Sequence, residues 1–295
     1  MTPLRPAVVG EDFTVASTGG EMVVRGAGSG RPVLLVHSIN AAASAAEMAP
    51  LHAWAAERFQ VFTPDLPGFG RSERRRQRYT PRLYVDSVRS LAAAIGERTG
   101  LPPLTLALST SAEFVARAAS EAPEAFRGLA FITPTGFDRR SARASGAAGE
   151  TREIRVVSSL LSRSAIGGRA FRLLTRPSVI RYFLQRTFGS KEIDEDLWAY
   201  CCESVSQPGA EYAPLSFLSG GLFSKDARSV YESLHGPMLL AHGTRGDFTD
   251  FSGADWARED CRWTVVPFPT GAIPWFETLD DFTEVFERFA ARSEA

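Results

Sequence analysis

Leu104-Thr105-Leu106-Ala107-Leu108-Ser109-Thr110-Ser111-Ala112 passes from a short apolar run to a serine among small residues, and Ala112 to Glu121 then carries a helical pattern. A strand feeding straight into a helix is the repeating unit of a parallel sheet, because parallel neighbours need a long crossover. Similar runs occur on both sides. Val33-Leu34-Leu35-Val36-His37 is continuously apolar, as a strand buried on both faces must be. Gln60 to Pro64, Leu129 to Thr133, Met238 to Ala241 and Thr264 to Phe268 are each short and apolar, and helix patterns at Ala46 to Arg58 and Pro81 to Thr99 fill the intervals. Phe13 to Val15 and Glu21 to Arg25 read as a leading hairpin around Gly19-Gly20. Leu279 to Ala291, with Phe282, Val285, Phe286 and Phe289 at helical spacing, reads as a closing helix packed on the sheet. The fold class is α/β, a mostly parallel twisted sheet flanked by helices.

Between Phe137 and His235 the rhythm changes, and no run resembles another strand of the sheet. Val156 to Leu174, Val179 to Phe188 and Asp194 to Ser206 read as amphipathic helices, while the Ala-, Gly-, Ser- and charge-rich Arg139 to Arg152 reads as mobile. The expected division is a core of residues 1–137 and 235–295 with a helical lid, 138–234, inserted after the sixth strand. Such a lid covers the carboxyl ends of the strands, where open α/β sheets bind ligands.

Composition narrows the function classes. A chain of 295 residues with 44% hydrophobic residues and a net charge of −1 buries one large core and lacks the basic footprint of a nucleic-acid binder. All but Lys191 and Lys225 of its 33 basic residues are arginine, a hint of a GC-rich bacterial genome. The run Arg71 to Arg78 reads as a solvated loop. No apolar run approaches bilayer-spanning length and residues 1–12 lack a signal-peptide pattern, so the expectation is a cytoplasmic protein with no membrane partner. Cys201, Cys202 and Cys261 lack metal-ligand spacing and are odd in number, so neither a disulfide framework, a metal nor a cofactor is expected. The expected partner is a small-molecule substrate or ligand; an oligomer is compatible with the sequence and not predicted by it.

Four landmarks, in this order, resemble those of the α/β-hydrolase-fold superfamily across nearly the whole chain. Val33 to Asn40 (Val-Leu-Leu-Val-His-Ser-Ile-Asn) is similar to its oxyanion strand, Asp65-Leu66-Pro67-Gly68-Phe69-Gly70-Arg71-Ser72 to the loop after the next strand, and Leu106 to Ala112 to its nucleophile elbow. Leu239 to Asp247 (Leu-Leu-Ala-His-Gly-Thr-Arg-Gly-Asp) is similar to the strand and loop that carry the triad acid. The resemblance implies Ser109 as elbow residue, the backbone N–H groups of Ile39 and Thr110 as oxyanion donors, Asn40 as an added side-chain donor, and Asp247, or else Asp250, as the acid. Ser111 as nucleophile would put Glu113 at a tight position of the turn that wants a small residue.

One member of that constellation is absent. Thr270-Gly271-Ala272-Ile273-Pro274-Trp275-Phe276-Glu277 reads like the superfamily's histidine loop with Ala272 where the base belongs. A serine hydroxyl needs a base to take its proton, and losing the histidine of a serine triad costs about a millionfold in turnover. The four histidines, His37, His52, His235 and His242, are none of them well placed, with His37 and His242 closest to the expected pocket. Ser38 in place of a glycine, Ala107 and Ser111 flanking the elbow, and an acid loop one residue longer are further departures around the same site. Together they favour natural divergence over a single engineered knock-out.

Two function classes follow. One is an enzyme of non-standard mechanism acting on a small, largely apolar carbonyl or ester compound held near Trp275 and Phe276, by elimination, isomerisation, cyclisation or slow hydrolysis. The other is a ligand-binding protein on a hydrolase fold.

Overall fold

The computed structural model describes residues 3–139, 146, 147, 149–161 and 164–293, with the backbone alone at 164 and 165. Much of the segment expected to be mobile, at 140–145 and 148, lies outside the described residues.

Eight strands form one sheet: β1 (Glu11–Ser17), β2 (Gly20–Ala27), β3 (Pro32–Val36), β4 (Gln60–Pro64), β5 (Leu104–Leu108), β6 (Gly128–Ile132), β7 (Met238–Gly243) and β8 (Trp263–Phe268). Their order is β1-β2-β4-β3-β5-β6-β7-β8, antiparallel for β1–β2 and β2–β4 and parallel from there on. Every residue of β3, β5, β6 and β7 is buried, as continuous apolar runs require. Alternate side chains serve opposite faces. Leu34 and Val36 pack with Val85, Val88 and Leu91 of α2 (Pro81–Thr99) and with Phe114 of α3 (Ser111–Glu121). Val33 and Leu35 pack on the other face with Leu51 of α1 (Ala49–Ala56) and Phe282, Phe286 and Phe289 of α11 (Leu279–Arg292).

Helix ends follow local chemistry. The Thr80 hydroxyl accepts from the Leu83 N–H, Pro81 stands where a missing N–H costs nothing, and Gly100 at φ 75° closes α2. The helix expected over Ala46 to Arg58 is instead a 3-10 turn, Ala45–Met48, followed by α1. Pro50 accounts for the break, since it has no N–H to continue an upstream ladder.

Between β6 and β7 the described chain is helical: α4 (Arg155–Leu161), α5 (Ser164–Leu174), α6 (Pro177–Phe188), α7 (Glu195–Val205), α8 (Tyr212–Leu218) and α9 (Ala227–Glu232). The single helix expected over Val156 to Leu174 is α4 and α5, and α8 and α9 are too short to have been read from periodicity. A last short helix, α10 (Asp255–Glu259), precedes β8.

The Asp65 loop anchors the carboxyl end of the sheet. Its carboxylate accepts from the N–H groups of Ala45 and Arg71, both at 2.8 Å. Gly70, at φ 50°, is required because a Cβ there would fall 1.9 Å from Asp65 Oδ1. His37 belongs to the same framework: its Nε2 accepts from the Leu66 N–H at 2.9 Å and its Nδ1 lies 2.6 Å from the Ser38 carbonyl. These partners assign a neutral ring with the proton on Nδ1.

Candidate active site

Ser109 and Thr133 are the only non-glycine residues at positive φ among those described, 56° and 45° respectively. A β-carbon makes that conformation costly, so it persists only where surrounding bonds hold it. Here the Ser109 N–H donates to the Ile132 carbonyl at 2.9 Å, and its own carbonyl accepts from the Ala112 N–H at 3.1 Å as α3 begins. The flanking Ala107 and Ser111 are fully buried, and the Ser111 hydroxyl donates to the His37 carbonyl at 2.6 Å. The turn therefore tolerates a serine two places on because that hydroxyl has a backbone partner. Ser109 itself is half-buried and opens onto a cavity of about 330 Å³.

That cavity brings together Ser38, Ile39, Asn40, Ser109, Thr110 and Ala272. Its remaining walls are mostly apolar, with Leu174, Ile180, Phe183 and Leu184 contributed by α5 and α6. Ile39 and Thr110 are buried, and among the described residues neither of their backbone N–H groups donates a hydrogen bond. Buried N–H groups are nearly always paired, so two unpaired ones on one cavity wall are donors that a ligand oxygen can satisfy.

Glu47 is the only charged side chain on the cavity wall among the described residues, and sequence reasoning missed it. It is 5% exposed. Its carboxylate accepts from the Ser38 N–H at 2.7 Å, the Ser38 hydroxyl at 2.9 Å and the Asn40 amide at 2.8 Å. Ser38, where the hydrolase pattern has glycine, is thus one half of a buried pair. The Asn40 amide donates a second bond to Ser38 Oγ at 2.8 Å, so both its hydrogens are engaged. Trp275 does not line the cavity; it is 1% exposed and its indole N–H donates to the Glu47 carbonyl at 2.8 Å. The available sequence signal was a lone carboxylate in the alanine-rich stretch Ala41 to Ala49.

The opposite wall is built differently. Ala272 is held by its carbonyl, which accepts from the Thr133 hydroxyl at 2.7 Å, and by its N–H, which donates to the Thr187 carbonyl of α6 at 2.8 Å. The Asp247 N–H likewise donates to the Arg186 carbonyl at 3.2 Å. Backbone meets backbone here: a Cβ on Gly271 would fall 2.4 Å from Phe188 Cα, and one on Gly246 2.3 Å from the Arg186 carbonyl oxygen. The carboxyl end of α6 is therefore seated on the loops after β7 and β8. Asp247 lies outside the cavity wall, exposed, with its carboxylate paired to the Arg186 guanidinium. Asp250 is also exposed; hydrogen bonds from the Ser252 hydroxyl and the N–H groups of Arg139 and Ser252 lower its carboxyl below the usual range.

Among the described residues no histidine lines the cavity, and the two expected nearest it, His37 and His242, face other partners. His242 stacks on Phe251 with centroids 4.1 Å apart, and burial lowers its pKa. His52 is pushed down to about 4 by burial, with Nδ1 2.7 Å from the Thr63 hydroxyl and Nε2 3.0 Å from the Val9 carbonyl; His235 is exposed. Cys201 does line the cavity, but burial raises its thiol well above the ordinary value, which keeps it protonated.

A positive-φ serine between β5 and α3 of this sheet is the strand-to-helix turn that α/β-hydrolase folds use, and a family model described as alpha/beta hydrolase fold matches residues 31–153. The chain has the α/β-hydrolase fold. A serine hydrolase involved in carbazole degradation superposes with a TM-score of 0.74 at 14% identity, over 96% of this chain and 99% of that one. The enol-lactonase of Burkholderia xenovorans gives 0.70 at 16% identity, over 95% and 100%. In sequence, an uncharacterized protein of Mycobacterium tuberculosis is 29% identical over 163 residues, 55% of this chain and 42% of that protein, so the chain spans less than half the length of this curated relative. The strand-to-helix serine and Ala272, which the sequence resemblance set against the histidine position, line the same cavity.

Proposed function

We propose that this α/β-hydrolase-fold protein is an enzyme that binds a small, largely apolar carbonyl or ester compound under its helical lid and stabilises negative charge on the carbonyl oxygen without a serine–histidine relay. The observation that carries this reading is the pair of unpaired N–H groups, Ile39 and Thr110, beside a Ser109 held at positive φ. Donors fixed in advance where charge develops are commonly the largest single contribution to catalysis of this kind. They serve an enolate or alkoxide as well as a tetrahedral acyl intermediate, so elimination, isomerisation, cyclisation and slow hydrolysis all fit. Glu47 acts here as a positioning residue, clamping Ser38 and Asn40 on either side of Ile39. A working esterase altered only at Ala272 is the weaker account, because Asp247 pairs with Arg186 at the surface rather than lining the cavity. A protein that only binds its ligand would share the apolar cavity, but it has no use for the strain at Ser109.

Two measurements test this. A fluorophosphonate probe should label Ser109 roughly 10⁴- to 10⁶-fold more slowly than it labels a serine hydrolase with a complete triad; rapid labelling means that a base activates the hydroxyl and overturns the mechanism. Ser109→Ala should abolish turnover of p-nitrophenyl butyrate while sparing its binding. Unchanged turnover would remove Ser109 from the chemistry.

A further inference from the structure

The lid carries a charge pattern that the cavity does not use. From 154 to 191 the chain has seven arginines, one lysine and no aspartate or glutamate, although the whole protein has 33 basic and 34 acidic residues. Arg181 pairs with Glu195 and Arg186 with Asp247. Arg155, Arg169, Arg172 and Arg176 are exposed and form no ion pair among the described residues. Exposed large apolar side chains concentrate in the same region: of those described, all but Val9 and Leu101 lie between 154 and 218 or at Phe248.

On α5 the two patterns share one face. Ile166, Arg169, Arg172 and Leu173 recur at three- and four-residue spacing and are exposed, while Gly167 and Phe171 are buried on the other side. Leu173 is 53% exposed, and so, nearly, are Phe183 (52%) and Phe248 (51%). Phe183, Phe248 and Leu218 also line the cavity, so its mouth is rimmed by exposed apolar side chains next to the arginine face.

We infer that the α4–α6 face of the lid docks peripherally on an anionic lipid surface, with the cavity mouth against the membrane. Apolar side chains interleaved with arginine on an exposed helix face are what an interfacial helix presents: the apolar groups enter the headgroup boundary and the guanidinium groups meet lipid phosphates. The contact is one of surface only, since no helix among the described residues is long and apolar enough to cross a membrane. A second copy of the chain fits this face poorly, because a two-fold contact would set the same arginines against each other. Docking stands whether or not Ser109 turns over. Where the enzyme reading also holds, a lipophilic substrate would enter the cavity from the bilayer side.

Sedimentation of the full chain with vesicles tests the inference. Binding to phosphatidylcholine vesicles containing 30% phosphatidylglycerol at 0.1 M NaCl should weaken by about tenfold or more at 0.5 M NaCl or on pure phosphatidylcholine. The double substitution Arg169→Glu and Arg172→Glu should weaken it by more than about tenfold with the circular dichroism spectrum unchanged, and Leu173→Ser by less. Equal binding to neutral and anionic vesicles, or no binding by a folded protein, overturns the proposal. So does a concentration-dependent dimer that Leu173→Ser abolishes, which would assign the face to a second copy. The fluorophosphonate labelling rate, measured without vesicles, should not change in the arginine variant, so this failure and failure of the catalytic reading are read separately.

Discussion

The two walls of the cavity rise from the same sheet and are built differently. The β3–β5 wall holds the strained Ser109, the two unpaired N–H groups and the His37 framework. On the β7–β8 wall, where an acid and a base would stand, α6 is seated by main-chain bonds to Asp247 and Ala272. One wall presents unpaired donors to the cavity, and the other is a joint between the sheet and α6. On the proposed reading the two walls can serve separate functions, because they rest on different strands.

The joint is the place to break that contrast. Gly271→Ala pushes a methyl group against the backbone of Phe188, which cannot yield as a flexible side chain would. A loss of about 2–4 kcal/mol in urea denaturation is expected; a neutral effect would mean that the joint is loose. Away from both walls, His52 of α1, bonded to Thr63 of β4 and the Val9 carbonyl, offers a pH test of the core. Its folded pKa, about 4, lies below the ordinary 6.5, so its contribution is complete above pH 6.5 and is lost as pH falls towards 4, by up to ~3 kcal/mol. His52→Gln should flatten that part of the stability profile, and an unchanged slope would assign it to other groups.

Ala272→His sharpens the comparison at the chemistry. With Asp247 paired to Arg186 outside the cavity, a new imidazole finds no orienting carboxylate, so p-nitrophenyl butyrate hydrolysis should rise by less than about tenfold. A rise of several orders of magnitude would show that the acid wall still works. The smallest effect belongs to Asp247→Asn, which removes an exposed pair and should leave the urea midpoint nearly unchanged.

Much of this was legible in the chain. The strands sit within a residue or two of their apolar runs because the central strands, buried on both faces, are mostly apolar, with Thr63, Thr105 and His242 as buried exceptions. The serine turn and the glycine loop after Asp65 were legible because each needs particular small residues at fixed places. The expected lining residues Ser38, Ile39, Asn40, Ser109, Thr110 and Ala272 meet at one cavity, whereas Trp275 lies behind its wall and Asp247 at the surface. Glu47 was not legible, since a carboxylate nine residues beyond Ser38 reads as a helix surface residue until the 3-10 turn brings it back.

The sequence by itself determined the α/β-hydrolase fold, the serine turn between β5 and α3 and the presence of Ala272 in the loop after β8, because strand periodicity, turn geometry and the identity of one residue are local properties. Only the tertiary structure decided which carboxylate faces the cavity and which the surface. Glu47 faces the cavity because the 3-10 turn carries it back to Ser38, and Asp247 meets Arg186 because α6 is seated by close backbone packing at Gly246 and Gly271, between segments far apart in the chain.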